Sequence, residues 1–216
     1  MSITVANFKA EITFAQARDW LNKFKSLLLE QPLEPSQTLI LCPPAVYLSE
    51  FKQALTGLTV GLGVQNLSEF DSGAYTGEIT APMLVNLADY VLIGHSERRV
   101  YFSETVDTIQ KKINLANKYS LKVILCAEQQ ETYQGDLWAL AYEPHLSIGT
   151  GEAADPNQSY QILENLQKTL VAKHYLYGGS VSETNANLFN KAGFNGVLVG
   201  KKSLDPSCLL AIVHNA

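Results

Sequence analysis

The sequence predicts an α/β protein: a closed (β/α)8 barrel with a shortened crossover between strands 5 and 6, built as a single domain over residues 1–216. Three observations lead there. Eight short apolar runs alternate with stretches of helical periodicity, and no linker separates them. Several of these runs lack strict alternation, as strands buried on both faces do. Three end in polar, glycine-rich segments, which a parallel barrel gathers at one rim, where its active sites lie. A doubly wound open sheet uses the same alternation and stays open as the alternative at this level.

The expected strands are Ile3–Phe8, Thr38–Cys42, Leu58–Val64, Tyr90–Ile93, Lys122–Cys126, Ala139–Tyr142, Tyr175–Tyr177 and Gly196–Val199. Helical spacing marks three core-facing stripes between them: Phe14, Ala17, Leu21, Phe24 and Leu28; Val106, Ile109, Ile113 and Ala116; and Ile162, Leu166 and Leu170. The fifth unit is short. Only 12 residues, Ala127 to Trp138, part the fifth strand from the sixth, and one of them is Gly135. A parallel crossover takes a dozen or more residues and usually a helix, so a turn or two of helix is the most that fits.

Composition narrows the function. Sixteen Lys and Arg against 21 Asp and Glu give a formal charge of -5, which argues against nucleic acid and anionic membrane as partners. No run approaches the roughly 20 apolar residues of a membrane span, and Met1–Val5 lacks the features of a signal peptide. Cys42, Cys126 and Cys208 are odd in number and far apart, and read as reduced and buried. A cytoplasmic protein is expected.

Chemistry gathers at the ends of the apolar runs. His95 follows the fourth strand and precedes Ser96-Glu97-Arg98-Arg99, a plausible helix start whose amides favour a neutral imidazole. Glu143 closes the sixth strand with Pro144 behind it, well placed as a general base. The segment Ser147-Ile148-Gly149-Thr150-Gly151 after it has the small residues of a closing loop. Gly178, Gly179, Ser180 and Gly200 form a candidate anion site, since glycines let backbone amides approach a phosphate. Lys9, at the end of the first strand with Asn7, is a candidate for stabilising negative charge on a substrate oxygen, with Schiff-base chemistry as the alternative. No dinucleotide fingerprint, P-loop, zinc motif or close cysteine pair occurs, so neither cofactor nor metal is expected.

These residues, taken together and in order, resemble the triosephosphate isomerase family, whose fold is the TIM barrel. The matching segments run from Asn7-Phe8-Lys9 through Val64-Gln65-Asn66, Ser72–Glu78, Gly94–Arg99, Ala141–Pro144 and Ile148–Gly151 to Tyr177–Val181 and Leu198–Gly200. The resemblance implies cofactor-free interconversion of dihydroxyacetone phosphate and D-glyceraldehyde 3-phosphate through an enediolate. It implies Glu143 as the base, His95 as the neutral electrophile, and Lys9 with Asn7 as substrate-binding residues. Phosphate-binding amides fall on Gly149, Ser180, Gly200 and Lys201, with Ser96 and Glu97 in support. It further implies a homodimer whose interface includes Tyr75 and Thr76, with Gln65 and Asn66 in the same region.

Three departures from the family pattern are plain. Ala10 and Glu11 replace methionine and asparagine, His145 and Leu146 replace valine and tryptophan, and Lys201 replaces a glycine. Alternatives are another phosphosugar ketose–aldose isomerase, a class I aldolase-like enzyme, and a weakly active or non-catalytic interaction paralogue.

Overall fold

Strands β1 (Ser2–Asn7), β2 (Gln37–Cys42), β3 (Val60–Val64) and β4 (Tyr90–Ile93) each pair in parallel with their sequence neighbour. So do β5 (Lys122–Ala127), β6 (Ala139–Tyr142), β7 (His174–Tyr177) and β8 (Gly196–Val199). The sheet closes where Ile3–Ala6 of β1 meet Gly196–Val199 of β8. The fold is thus the (β/α)8 barrel, and the open doubly wound sheet is excluded. This computed structural model describes residues 1–127, 131–144 and 153–216.

Strand pleating divides the core in two. Ile3 and Val5 of β1, Leu92 of β4, Ile124 of β5 and Leu198 of β8 fill the barrel interior. Their alternate neighbours, such as Val91, Ile93, Val123 and Leu125, face outward against the helices. Because both faces are covered, the strands read as nearly unbroken apolar runs.

The helices are α1 (Phe14–Glu30), α2 (Leu48–Ala54), α3 (Ala81–Leu84), α4 (Ser96–Tyr101), α5 (Val106–Lys118), α6 (Pro156–Leu166), α7 (Ala186–Ala192) and α8 (Pro206–Asn215). Local chemistry starts them. Thr13 and Gln16 form a capping box on α1, Thr105 caps α5, and Asp155-Pro156 and Asp205-Pro206 start α6 and α8.

The expected stripes need correction at their edges. Phe14, Val106 and Ile162 are 51%, 47% and 42% exposed. Phe14 and Val106 are the first residues of their helices. In α6 the buried positions are Ser159, Leu163 and Leu166, and Leu170 is buried beyond the helix end. A periodic pattern gives the face only to within one residue. All three cysteines are free; Cys42 and Cys126 are buried, but Cys208 on α8 is only partly so.

Between β5 and β6 no helix forms among the described residues 131–138. The outer wall is sealed there by buried Tyr133 and Leu137 and by two clamps from α5. The Gln110 amide donates to the Gln134 carbonyl (2.9 Å) and accepts from the Gln134 N–H (2.8 Å). Two turns on, Asn117 does the same to Asp136, at 3.0 and 2.8 Å. Seven residues apart, the two amides share one face of α5.

Candidate active site

At the exit of β1 the backbone turns sharply. Lys9 has φ +51°, a conformation uncommon for a residue with a Cβ. Neighbours hold it there. The Lys9 N–H donates to the Asn7 side-chain oxygen at 3.0 Å, and the Gln65 amide donates to the carbonyls of Lys9 and Cys42, both at 2.9 Å. The Lys9 ammonium donates to Glu97 at the start of α4. The exit of β8 is tied to the same place. The Ser203 hydroxyl donates to the Asn7 carbonyl (3.2 Å) and the Trp20 indole to the Ser203 carbonyl (2.9 Å), so the 3-10 turn Lys201–Leu204 is anchored beside Lys9.

His95 caps α4 through its own ring. Its Nδ1 accepts from the Glu97 N–H at 3.2 Å, which a protonated nitrogen cannot do. The neutral ring therefore carries its proton on Nε2, which points at Glu143 Oε1, 3.2 Å away. The other Glu143 oxygen accepts from the Ser96 N–H at 3.1 Å. Both side chains are buried, Glu143 with 4% of its surface exposed. Gly178 leaves room for it: a Cβ there would come within 2.9 Å of Glu143 Cγ. Burial, and then the Glu143 carboxylate, push the Cys126 thiol well above its ordinary range, so this sulfur stays protonated and is no nucleophile.

A cavity of about 960 Å³ joins these groups, and Asn7, Lys9, His95, Glu97, Glu143 and Ser180 line it. Gly200 and Lys201 line it too, and Lys201 has no carboxylate partner among the described residues. The turn after β7 is held by Asn185, whose amide donates to the Ser180 carbonyl (3.0 Å) and accepts from the Ser182 N–H (2.8 Å). Gly149, with the rest of residues 145–152, lies outside the described residues. Such a set can remove a proton from carbon, stabilise an oxyanion and offer amides to an anion.

Two contributors escaped the sequence reading. Tyr177 stacks on Phe189 with ring centroids 3.5 Å apart, and its hydroxyl accepts from the Ala154 N–H at 3.0 Å. That bond anchors the chain just past the segment that follows Glu143. Asn185 is the other. A tyrosine at the end of a strand, ahead of two glycines, was the available signal for Tyr177; for Asn185 there was none.

The remaining expected residues sit apart from the cavity. Tyr75 and Thr76 lie on an exposed turn, where Tyr75 stacks on Phe70 at 4.2 Å. Asn66 points inward and accepts from the Lys112 ammonium at 2.7 Å. Lys112 is also paired with buried Glu104, which Arg98 of α4 reaches at 2.9 Å. Burial would raise the Glu104 carboxyl, but Lys112 and Arg98 outweigh it and hold it below the usual range.

A family model described as triosephosphate isomerase matches residues 2–138 and 132–216. The match is divided inside the β5–β6 connection, whose described residues 131–138 form no helix. A triosephosphate isomerase of Mesomycoplasma hyorhinis is 38% identical over 229 residues, covering 94% of this chain and 93% of its own. Those of Synechococcus sp. (strain JA-3-3Ab) and Alkaliphilus oremlandii are 34% and 33% identical, each over 98% of this chain and over 94% and 98% of their own.

Proposed function

The chain belongs to the triosephosphate isomerase family, and on that premise we propose that it interconverts dihydroxyacetone phosphate and D-glyceraldehyde 3-phosphate with Glu143 as the base. The observation that carries the assignment of roles is the facing of His95 Nε2 and Glu143 Oε1 at 3.2 Å in one buried pocket beside Lys9.

Substrate enters between the two. Its carbonyl oxygen takes the place of Glu143 as acceptor of the His95 Nε2–H. The displaced carboxylate leaves the Ser96 amide and turns to the adjacent carbon. Glu143 removes a proton from that carbon, and the electron pair of the broken C–H bond moves into the carbonyl to form an enediolate. The Lys9 ammonium and the His95 Nε2–H stabilise the new negative charge. His95 assists a proton from one oxygen to the other, and Glu143 returns its own proton to the neighbouring carbon. Glutamate and imidazole end as they began.

The phosphate is bound by amides of Ser180, Gly200 and Lys201, which share the cavity with the Lys9 charge, and, on the family resemblance, by that of Gly149. Two copies associate through the turn bearing Tyr75 and Thr76, near Gln65 and Asn66. Tyr75 and Met83, 42% and 62% exposed, are apolar surface such a contact would cover. Among the described residues no helix is long and apolar enough to cross a membrane. We place the protein in the cytoplasm.

The test is a coupled assay in both directions. Glu143→Gln is expected to lower kcat by at least about 100-fold while KM stays within about tenfold. Turnover unchanged in that variant removes Glu143 as the base; absence of turnover in the parent overturns the reaction itself. Thr76→Arg is expected to shift the protein toward monomer in light scattering, and an unshifted assembly state removes Thr76 from the interface.

A further inference from the structure

Arg99 touches no group of the cavity, yet it joins three segments that frame it. Its Nε donates to the Gly94 carbonyl at 2.7 Å, and its Nη2 to the Cys126 carbonyl at 3.1 Å. Gly94 links β4 to His95, and Cys126 is the next-to-last residue of β5. The third segment is the shortened β5–β6 connection. Glu131 there grips Arg99 with both oxygens, at 2.8 Å to Nη1 and 2.9 Å to Nη2. The Tyr133 hydroxyl donates to the same carboxylate at 2.7 Å. Only 9% of the Glu131 side chain is exposed.

We propose that Glu131 is a positioning residue for His95, acting through Arg99 and the Gly94 carbonyl. The peptide that begins His95 has the Gly94 carbonyl at its other end. A planar peptide moves as one unit, so the hydrogen bond that fixes this carbonyl also sets the plane of the His95 N–H. The His95 ring is then aimed by two supports: the peptide held by Arg99 on one side, and the Glu97 N–H on its Nδ1 on the other. A guanidinium can serve two carbonyls at once only if its planar fork is held in one orientation. The two-point grip of Glu131 supplies that orientation and balances the charge.

The same arrangement gives the shortened connection a task beyond closing the barrel wall. Its far end is held by Gln110 and Asn117, through backbone groups of Gln134 and Asp136 alone. Its near end carries a carboxylate into the support of the histidine. Wall-sealing and positioning are therefore separable by mutation.

The inference rests on the isomerase reading for its kinetic consequence, but its central readout does not. The 15N–1H signals of the His95 imidazole are recorded in the parent and in Glu131→Gln, which keeps volume and removes charge. The His95 signals are assigned by their loss in His95→Gln. Arg99→Lys serves as the second variant, since an ammonium lacks the fork. Gln110→Ala, which loosens the far end only, is the control. The expectation is that Glu131→Gln and Arg99→Lys both move the His95 signals and lower kcat about tenfold, with KM within twofold, because small misplacement of a reacting group is costly. Their double variant is expected to be no worse than the more affected single one, as for residues acting in one chain of contacts. Gln110→Ala is expected to lower Tm and leave both readouts alone.

Unmoved His95 signals in Glu131→Gln overturn the proposal whatever turnover does. So does a Gln110→Ala variant that moves them equally, because loosening of the wall then suffices. A parent that turns over neither triose phosphate overturns the isomerase reading, and the His95 signals still decide the positioning role.

Discussion

Between β1 and β2 the chain lays a 17-residue helix, α1, whose Trp20, Leu21, Phe24 and Leu28 are buried against the barrel. Between β5 and β6 it lays none among the described residues 131–138, and the strands pair directly from Ile124 with Ala139 to Ala127 with Tyr142. Both connections cover outward-facing side chains of two adjacent strands. The first does so with apolar area: Trp20 stacks on Phe24 at 4.8 Å and meets Phe8 edge-on at 4.9 Å. The second uses two apolar plugs, Tyr133 and Leu137, and four directional hydrogen bonds from α5. A barrel wall needs a cover that excludes water and satisfies the backbone; a helix is one way of meeting both needs. Borrowing side-chain amides from the neighbouring helix is another, and it spends less chain.

The two covers differ in strength. Hydrophobic burial accumulates with area, whereas each hydrogen bond replaces one to water and adds only about 0.5–1.5 kcal/mol net. The largest expected loss is therefore in the helical cover. Phe24→Ala should destabilise the fold by about 3–5 kcal/mol in denaturant unfolding, as large-to-small core changes do. If it costs less than the connection variants below, the ranking of the two covers is reversed.

Next comes Gly135, between the two clamped residues at φ +111°, where an added Cβ would run into the Asn117 side-chain oxygen. Gly135→Ala should cost about 1–3 kcal/mol from backbone strain together with the clash. Asn117→Ala alone should cost about 1–2 kcal/mol by loss of two hydrogen bonds. Combined, the two should cost less than their sum, since removing the amide relieves the clash. Strict additivity would mean that Asn117 and Gly135 do not press on each other.

The smallest effect belongs to the start of α1. Thr13→Ala removes the oxygen that accepts from the Gln16 N–H, and should cost about 1 kcal/mol by calorimetry. Amide exchange sharpens the same comparison without mutation. Protection across Trp20–Leu28 should exceed that of Gln134 and Asp136, whose N–H groups rest on single side-chain acceptors at an exposed face.

Much of the architecture was readable because it rests on local rules. Each strand from β1 to β8 overlaps its expected run. Buried parallel strands need no alternation, and glycine, proline and polar residues bound them on either side. The shortness of the fifth crossover was readable by counting, since 12 residues leave room for a turn or two of helix at most, and the described residues 131–138 form none. Faces were less secure: Phe14 and Val106 open their helices and stand exposed, and Ile162 fits a helical period whose buried face in α6 runs through Leu163 instead. In the site, Asn7, Lys9, His95, Glu143 and Ser180 were legible as groups at strand exits and Glu97 through the family resemblance, and the structure brings all six to one cavity. It carried no sign that Glu143 rests on the Ser96 amide, or that Tyr177 and Asn185 anchor the neighbouring turns.

The division has a physical origin. The sequence by itself determined what depends on spacing along the chain: the alternation of elements, the capped helix starts, the short fifth crossover and the polar groups at strand ends. Only the tertiary structure decided which distant groups meet. Arg99 with Glu131, Gln110 with Gln134 and Lys9 with Glu97 lie 32, 24 and 88 residues apart. No periodicity links such partners. Barrel closure brings them within reach, and the need of each buried polar group for a partner selects the pairs.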